Sequence, residues 1–299
     1  MSCPVLNVDA RNLACEGNLT LSNETYPSVA CDCTEWLGNV IISTNATRFL
    51  VPIWLSTIVG DFICEHNSGL KQLNLAGDVL SNITGTIRLV DMPVLERFRL
   101  SQLRAVGRIE LDGLPSLHQL EFFTGGSQVS SILVHNTGLD NLTGLNPSSM
   151  QGIDIRNNTR LGNVNLSSLV ESTGPITFEQ NSASLSISLD ALKSSGSLVM
   201  NGVNDLSMPN LSVVSGTMSI FQNGNPSLDL DRLESISGSL EIEFSNLIQL
   251  PMPNLNTIGG SLTLTDNGEL DDITLLSLQE VRESISISRP INRQVSLDH

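Results

Sequence analysis

Residues 196–200 read Gly-Ser-Leu-Val-Met, residues 216–220 Gly-Thr-Met-Ser-Ile, residues 238–242 Gly-Ser-Leu-Glu-Ile and residues 260–264 Gly-Ser-Leu-Thr-Leu. The stretches share the pattern Gly-x-Φ-x-Φ, where Φ is an apolar residue, and follow one another at intervals of about 22 residues. A fixed period of this length is typical of a solenoid, because a single coil cannot bury its apolar side chains until it stacks on its neighbours.

The same pattern extends over most of the chain. It begins at twelve positions, which are Gly38, Gly60, Gly85, Gly107, Ser130, Gln151, Gly174, Gly196, Gly216, Gly238, Gly260 and Glu283. Side chains alternate across a strand, so the two apolar residues of each copy point into the solenoid. We therefore predict an all-β-rich solenoid, a right-handed β-helix of about twelve coils of ~22 residues with parallel strands.

Polar corners and proline segments separate the predicted strands. Asn suits a sharp corner because its side chain bonds nearby backbone groups and tolerates left-handed angles. The corner residues are Asn45, Asn67, Asp91, Asn136, Asn157, Asn201, Asn223 and Asn267. A Met/Leu-Pro-x-Leu segment, as at residues 208–211 and 252–255, follows in several coils. Since proline disfavours a helix interior, we predict extended or turn-like closures, with short helical turns around residues 189–194 and 276–283.

The composition argues against several classes of protein. The net charge of −16 and the presence of only two lysines, Lys71 and Lys193, exclude nucleic acid as an expected partner, because such binding needs clustered Lys and Arg. No run of about 18 apolar residues occurs, so no membrane-spanning helix is predicted. His66, His118 and His135 are scattered and form no readable catalytic or metal-binding pattern, so we predict neither metal nor cofactor.

The five cysteines all lie near the start of the chain, at Cys3, Cys15, Cys31, Cys33 and Cys64. A solenoid needs a cap over its terminal coil, and a disulfide-stapled cap meets that need in an oxidising compartment. Reduced, buried thiols are the alternative, and zinc is disfavoured because the Cys-x-Cys at 31 and 33 has no matching pair downstream. The odd count leaves one cysteine unpaired. Cys64 is either this buried orphan or a bridge from cap to coil.

Eight Asn-x-Ser/Thr sequons accompany the cysteines, at Asn18, Asn23, Asn45, Asn82, Asn141, Asn157, Asn165 and Asn210. Together with the cysteine cluster they favour a secreted, glycosylated chain over a cytosolic one. The first residues lack the basic and apolar stretches of a signal peptide, so we interpret the sequence as a mature or trimmed form.

Three segments are predicted along the chain. Residues 1–35 form a cysteine-bearing N-terminal cap, residues 36–288 the solenoid, and residues 289–299 the C-terminal tail of a truncated ectodomain. The first boundary follows from the cysteines and the second from the end of the last strand signal.

Three stretches of the repeat resemble the receptor L-domain type of leucine-rich repeat. They are Asn-Leu-Asn-Thr-Ile-Gly-Gly-Ser-Leu-Thr-Leu-Thr-Asp-Asn (residues 254–267), Leu-Glu-Ser-Ile-Ser-Gly-Ser-Leu-Glu-Ile (233–242) and Thr-Ile-Val-Gly-Asp-Phe (57–62). The repeat region, roughly residues 31–288, is similar to the fungal GPI-anchored cell-wall-organisation and sporulation proteins that carry this repeat. The Ser/Thr-rich, lysine-poor composition and the N-terminal cysteines fit that fungal family.

The resemblance implies a location and a function. It implies a secreted glycoprotein of the cell surface or cell wall that contributes to wall organisation and integrity without catalytic residues. The implied partners are cell-wall polysaccharide or wall and surface proteins, with membrane attachment only through a GPI lipid anchor. The Ser/Thr-rich stalk and apolar tail of such an anchor are missing after His299, so we expect the anchor in the full-length form. A ligand-binding receptor ectodomain is the alternative.

The outward strand positions bear on a third hypothesis, a carbohydrate-active β-helix enzyme. By strand alternation these positions include Arg88, Arg108, Glu110, Asp112, Asp154, Arg156 and Glu179. Glu110 and Asp112 share one strand face, and paired carboxylates can support glycoside hydrolysis. The arginines beside them favour charge pairing on a solvated face, so we predict that the protein is not an enzyme. Phe221 is the main aromatic residue expected on this face.

Overall fold

The computed structural model describes residues 14–23, 34–47, 55–75, 80–100, 102–122, 128–224, 228–288 and 295–296. The chain divides into an N-terminal unit, Met1–Leu145, and a C-terminal unit, Asn146–His299. Parallel strands stack coil upon coil within each unit, and the predicted all-β solenoid is thereby confirmed.

The N-terminal unit stacks all but the last of its described strands in one long sheet and one short one. The strands are β1 (Ala14–Glu16), β2 (Leu19–Leu21), β3 (Glu35–Leu37), β4 (Val40–Ile42), β5 (Thr57–Val59), β6 (Phe62–Glu65), β7 (Gln72–Asn74), β8 (Asn82–Val90), β9 (Arg97–Leu100), β10 (Ala105–Leu114), β11 (Gln119–Phe122), β12 (Gln128–Thr137) and β13 (Asn141–Leu142). The long sheet runs β1-β3-β5-β8-β10-β12, and β2-β4-β6 runs beside it until both paths meet on β8. The short sheet is β7-β9-β11.

The described strands of the C-terminal unit form several stacked sheets. The strands are β14 (Ser149–Met150), β15 (Gly152–Arg156), β16 (Asn163–Asn165), β17 (Glu171–Ser172), β18 (Ile176–Glu179), β19 (Ser186–Ser188), β20 (Ser194–Ser195), β21 (Leu198–Asn201), β22 (Asp205–Ser207), β23 (Val213–Val214), β24 (Met218–Phe221), β25 (Ser235–Ile236), β26 (Leu240–Glu243), β27 (Gln249–Pro251), β28 (Thr257–Ile258), β29 (Leu262–Thr265), β30 (Asp272–Thr274), β31 (Glu280–Val281), β32 (Ile285–Ile287) and β33 (Val295–Ser296). The principal sheet runs β15-β18-β21-β24-β26-β29-β32, and the others are β14-β17-β20-β23-β25-β28-β31, β16-β19-β22 and β27-β30-β33.

The predicted inward positions are confirmed in every strand signal except the last, because Ile285 and Ile287 of β32 are 60% and 36% exposed. Every Gly-x-Φ-x-Φ signal coincides with a strand: β4, β6, β8, β10, β12, β15, β18, β21, β24, β26, β29 and β32. In β26 the inward Leu240 is fully buried, and its register partners Met218 and Leu262 are 0% and 1% exposed. The outward Glu241, one residue on, is half-buried. The core of each unit is therefore a stack of apolar side chains repeated at equivalent positions.

A glycine opens nine of the twelve strand signals, and the close approach of successive coils requires it. A Cβ atom on Gly196 would lie 2.6 Å from the carbonyl oxygen of Gly174, and one on Gly60 would lie 2.4 Å from that of Gly38. The backbone N–H of Gly216 donates to the carbonyl of Gly196 at 3.0 Å, so the coils are hydrogen-bonded at this point. A side chain would separate them.

The polar corner comprises two adjacent positions with different tasks. The first has a positive φ and is occupied by His66, Asp91, Asn136, Asn157, Gln180, Gln222, Phe244 and Asp266. The second is buried and polar in several coils, at Asn67, Thr137, Asn158, Asn223, Ser245 and Asn267. Side-chain oxygens of this second position accept backbone N–H groups, as Asn223 does from Val203 at 2.8 Å. Six of the eight predicted corner residues are thus divided between left-handed backbone and the buried second position, whereas Asn45 is exposed and Asn201 ends β21.

The proline segments form turns. Leu211 N–H donates to Met208 O at 3.1 Å and Leu255 N–H to Met252 O at 3.2 Å, with proline at the second turn position where its fixed φ fits. The predicted helical turns around residues 189–194 and 276–283 are wrong, because each stretch holds a turn followed by a two-residue strand. The described part of the chain contains no helix of the length and apolarity needed to cross a membrane.

Strands also occur in the segments predicted as cap and tail. Within residues 1–35, β1 pairs with β3 and β2 with β4, so regular stacking begins at Ala14 in the described chain. Within residues 289–299, β33 pairs with β30. Cap function therefore remains a prediction for the residues on either side of these strands.

Candidate functional site

The outward face of the N-terminal unit carries alternating charges, which we call the charge ladder: Glu65 on β6, Arg88 on β8, and Arg108 and Glu110 on β10. The strand register sets Arg88 beside Glu110. Arg88 Nε donates a short hydrogen bond to Glu65, and its Nη1 lies 3.2 Å from Glu110 Oε1. Arg108 Nε lies 3.9 Å from Glu110 Oε2. Both oxygens of Glu110 therefore face a guanidinium group.

The ladder balances charge between coils. The hydrogen bond to Glu65, followed by the negative charge of Glu110, raises the pKa of Arg88, which stays cationic throughout the ordinary pH range. Exposed ion pairs of this kind contribute only about 0–1 kcal/mol each. Charge pairing across stacked strands, as the arginines in the sequence indicate, accounts for this face.

Asp112, the second carboxylate of the predicted pair, has its own partner. Its Oδ1 accepts a hydrogen bond from Asn136 Nδ2 at 2.7 Å in the next coil. Glu110 and Asp112 do share β10 and its outward face, as predicted, but each carboxylate is engaged by a neighbouring side chain. The arrangement resembles a structural network more than a site prepared for a water molecule and a sugar.

The C-terminal unit repeats this pairing on β15 and β18. Arg156 donates through Nε to Asp154 at 2.5 Å and through Nη1 to Glu179. The hydrogen bond to Asp154 and the charges of both carboxylates raise the pKa of Arg156. Asp154, Arg156 and Glu179 therefore lie together on the outward face, as strand alternation predicts, and form a compact ion cluster.

The histidines occupy separate positions. His66 Nδ1 lies 3.2 Å from Asp91 Oδ2 in an exposed contact, and His118 Nδ1 donates to Gly138 O at 2.9 Å. His135 is half-buried on β12, in register with Asp112 on β10. Among the described residues no group of three or more His, Cys, Asp or Glu side chains is arranged to hold a metal ion.

The structure describes two of the five cysteines. Cys15 is buried and disulfide-bonded. Cys64 is a fully buried free thiol on β6, so the orphan alternative holds for it and its place among the disulfide candidates is corrected. It faces inward between Ile42 and Leu89. Burial, with a smaller effect from Glu65, raises its pKa to about 12. Cys3, Cys31 and Cys33 lie outside the described residues.

The sequon asparagines differ in accessibility. The exposed ones are Asn18, Asn23, Asn45, Asn141, Asn157 and Asn165. Asn82 and Asn210 are half-buried, and Asn210 Nδ2, the atom that would carry a glycan, donates to Asp190 O at 2.6 Å. Exposure makes glycosylation possible at the six sites, which stay predicted sites.

An open groove of about 340 Å³ lies on the short sheet of the N-terminal unit. Arg97 Nε donates to Gln119 Oε1 at 2.6 Å across its floor. The groove is lined by Gln72, Glu96, Arg97, Ser116, His118 and Gln119. Its mixture of opposite charges and amides does not indicate one class of ligand.

Two aromatic rings stand on the outward surface of the C-terminal unit, and we call this pair, Phe221 and Phe244, the aromatic step. Their centroids are 5.3 Å apart with planes at 71°. Phe221 was expected from strand alternation. Phe244 was not, since it takes the left-handed corner position with a φ of 51° and is 49% exposed. That conformation costs a bulky residue about 1–2 kcal/mol. The sequence feature that could have identified Phe244 is a phenylalanine at a repeat position that is polar or glycine in neighbouring coils.

No family model matches the chain. Curated fungal proteins are nevertheless similar to it. It is 27% identical over 200 residues to Protein ecm33 of Aspergillus fumigatus, covering 67% of this chain and 50% of that protein. It is 28% identical over 209 residues to a Cell surface GPI-anchored protein of Arthroderma benhamiae, covering 68% and 52%. It is 23% identical over 210 residues to Cell wall protein ecm33 of Schizosaccharomyces pombe, covering 69% and 47%.

These relatives confirm the predicted resemblance to fungal GPI-anchored cell-wall proteins. Two of the three names refer to the cell surface or the cell wall, which supports an extracellular location. The chain spans about half the length of the curated relatives it matches. The receptor L-domain type of the repeat stays a prediction.

Proposed function

From this relationship to fungal cell-surface and cell-wall proteins, we propose that the chain is the solenoid part of a secreted, surface-tethered glycoprotein that contributes to the organisation and integrity of the fungal cell wall. The observation that carries the proposal is the similarity over two thirds of the chain to fungal relatives, of which one is named a Cell surface GPI-anchored protein and another a Cell wall protein. The fold supports it, because stacked coils offer an extended surface for binding or spacing other molecules.

The protein acts without catalysis. The carboxylates that first suggested a hydrolase are engaged, Glu110 by Arg88 and Arg108 and Asp112 by Asn136. Such a network keeps its side chains in fixed pairs, whereas a glycosidase needs one carboxyl group able to donate a proton and another able to act on water or the sugar.

Tethering is a second component of the proposal. One relative is named a cell surface GPI-anchored protein, and we extend that anchor to the full-length form of this protein. A lipid anchor would hold the solenoid at the outer face of the membrane or in the wall. Glycans at the exposed sequons, and a disulfide-stapled cap built from Cys3, Cys15, Cys31 and Cys33, fit this location. Its partners are cell-wall polysaccharide or other wall and surface proteins.

Complementation tests the proposed function. The full-length protein that contains this chain is expressed in a fungal strain lacking the native gene, and growth is measured in the presence of a dye that perturbs the wall. We expect the anchored form to restore growth, and a form lacking the anchor signal to fail because it diffuses out of the wall. Rescue by the unanchored form would contradict tethering, and failure of the anchored form at normal surface levels would contradict the function.

The same protein serves to test the two alternatives. Incubation with β-glucan or chitin should release no new reducing ends, whereas turnover would support the carbohydrate-active enzyme. Capture of one defined protein ligand with saturable affinity would instead favour a receptor ectodomain.

A further inference from the structure

The aromatic step lies within two columns of side chains that run from coil to coil. The register of the principal sheet aligns Phe221 with Asn201 on β21 and with Glu243 on β26. Phe244 occupies the corner position, which Gln222 and Asp266 occupy in the coils before and after. Each ring is therefore flanked on both sides by side chains that can donate or accept hydrogen bonds.

These polar side chains are available to a ligand. In the described chain, Asn201, Gln222, Glu243 and Asp266 make no side-chain hydrogen bond or ion pair within the protein, unlike the carboxylates of the charge ladder. Phe244 is half exposed and held in a backbone conformation that its neighbours fill with polar residues or glycine. A strained backbone and an exposed aromatic ring at the same residue are features of functional positions, because neither of them stabilises the fold.

The charge of the surface narrows the choice of ligand. Glu243 and Asp266 take the positions next to Phe221 and Phe244 in the adjacent coils, and the strands β21, β24, β26 and β29 contain no Lys or Arg. An anionic polymer would be repelled. A neutral sugar fits, because its C–H face can pack on an aromatic ring, whose face carries partial negative charge, while its hydroxyl groups pair with amides and carboxylates.

The spacing of the coils fits a polymer of such sugars. Stacked strands repeat about every 4.7–4.9 Å, which is close to the advance of one pyranose ring along an extended glycan. A glycan lying across the coils would meet an equivalent pair of positions at each step. The sequon nearest to this face in the corner column is Asn157, four coils before Phe244.

We propose that Phe221 and Phe244, with Asn201, Gln222, Glu243 and Asp266, form a binding site for a neutral hexopyranose chain running from coil to coil. This inference rests on the proposed function in the cell wall and names the surface through which the protein would contact wall polysaccharide. The rings supply stacking, and the flanking amides and carboxylates fix the orientation of the sugar hydroxyl groups.

Binding measurements on the full chain test the site with three probes: laminarihexaose, chitohexaose and a lysine hexapeptide. The variants are Phe244→Gln, which installs the residue found at the same corner in the preceding coil, and Phe221→Thr, which copies the equivalent position on β29. Ile248→Gln is the matched control, since Ile248 is 51% exposed and precedes β27 on another side of the coil.

We expect the unmodified protein to bind at least one of the two neutral oligosaccharides, with little change between low and high salt. Each phenylalanine variant should weaken binding about tenfold, while Ile248→Gln leaves it unchanged. Melting temperatures should stay level, or rise for Phe244→Gln as the corner strain is relieved, which separates lost binding from lost folding.

Three results would overturn the inference. The first two are no binding of either neutral oligosaccharide and binding that survives both phenylalanine variants. The third is binding of the lysine peptide alone, abolished by salt, which would indicate a cationic partner. Complementation separates this failure from failure of the proposed function. If the unmodified, anchored protein restores wall integrity although it binds neither oligosaccharide, the site is refuted and the function stands. If oligosaccharide binds but the anchored protein restores nothing, the function is refuted.

Discussion

The side-chain oxygen of Asn267 accepts a hydrogen bond from the backbone N–H of Ser245, one coil earlier, at 3.0 Å. The amide nitrogen of the same side chain donates to the carbonyl of Ile242 at 2.8 Å. One buried asparagine thus satisfies two backbone groups at the corner of the preceding coil. Asn181 does the same for Asn158 N–H and Ile155 O, at 3.1 and 2.9 Å. Corner asparagines therefore bond successive coils where the strand ladder ends.

Replacement of Asn267 should destabilise the C-terminal unit. Asn267→Ala leaves Ser245 N–H and Ile242 O buried without these partners, and each lost partner costs about 1–3 kcal/mol. Urea unfolding followed by circular dichroism measures the change. The exposed Asn246 provides the control, since Asn246→Ala removes an amide from the surface. Equal unfolding midpoints for the two variants would show that the corner bonds contribute nothing.

A charge in the apolar stack should be far more damaging than the loss of one from the surface. Leu240→Asp places a carboxylate between Met218 and Leu262 without a partner, at a cost of several kcal/mol. Glu241→Ala, one residue on, should leave the melting temperature nearly unchanged because the side chain of Glu241 points outward. Thermal melts of both variants give the comparison, and matching melting temperatures would contradict the strand register.

Coil contact at the strand-opening glycines should tolerate no side chain. Gly196→Ala brings a Cβ to 2.6 Å from Gly174 O and forces the coils apart, with an expected loss of about 1–3 kcal/mol. Gly268→Ala is the matched control, because no atom lies within 4 Å of a Cβ placed there. Denaturant titration should show a lower midpoint for the first variant alone. An unchanged Gly196→Ala midpoint would mean that the coils separate without cost.

The thiol of Cys64 should make stability fall at high pH. Its pKa is about 12 in the fold against 9.0 ordinarily, so the unfolded chain loses the proton first as pH rises. Stability from the buried neutral thiol is thus complete below pH 9.0 and declines as pH climbs toward about 12. Urea unfolding at several pH values should show a steeper decline for the unmodified protein than for Cys64→Ala. Parallel curves would contradict this.

Alkylation without reductant tests the cysteine assignments. We expect mass spectrometry to find two disulfides, Cys64 unmodified in the native protein, and a single alkylated thiol after unfolding. Loss of a cap disulfide should cost about 2–5 kcal/mol and act first on the N-terminal coils. Five reactive thiols in protein secreted from a fungal host would contradict both the cap and the secreted location.

The carboxylates of β10 should be dispensable for function. Glu110→Gln combined with Asp112→Asn removes any acid–base pair, yet we expect it to restore wall integrity in a strain lacking the native gene. The change in stability should stay within about 1 kcal/mol per ion pair, because these pairs are solvent-exposed. Loss of rescue by a protein that folds and reaches the surface normally would favour an enzyme or a specific ligand site at Glu110.

The repeat in the sequence was sufficient to predict the twelve signal strands, the inward residues of all but the last of them and the outward charged face. It was sufficient because burial in a solenoid is periodic. The same repeat position in every coil faces the same apolar stack, so Leu240 and its register partner Leu262 are both apolar for the same reason. The opening glycines and the proline turns follow from equally local rules of backbone sterics. The sequence also provided the family resemblance, which similarity to fungal relatives later supported.

Tertiary structure alone decided which residues meet between coils. It paired Arg88 with Glu65 and Glu110, left Cys64 as a free thiol, and set the ring of Phe244 against that of Phe221. These contacts join residues separated by about one repeat, and their partners depend on the register of stacking and on side-chain rotamers, which no local pattern specifies. Strand alternation predicts that Phe221 points outward. Phe244 lies at a corner, where a left-handed backbone rather than the strand period sets the direction of the side chain.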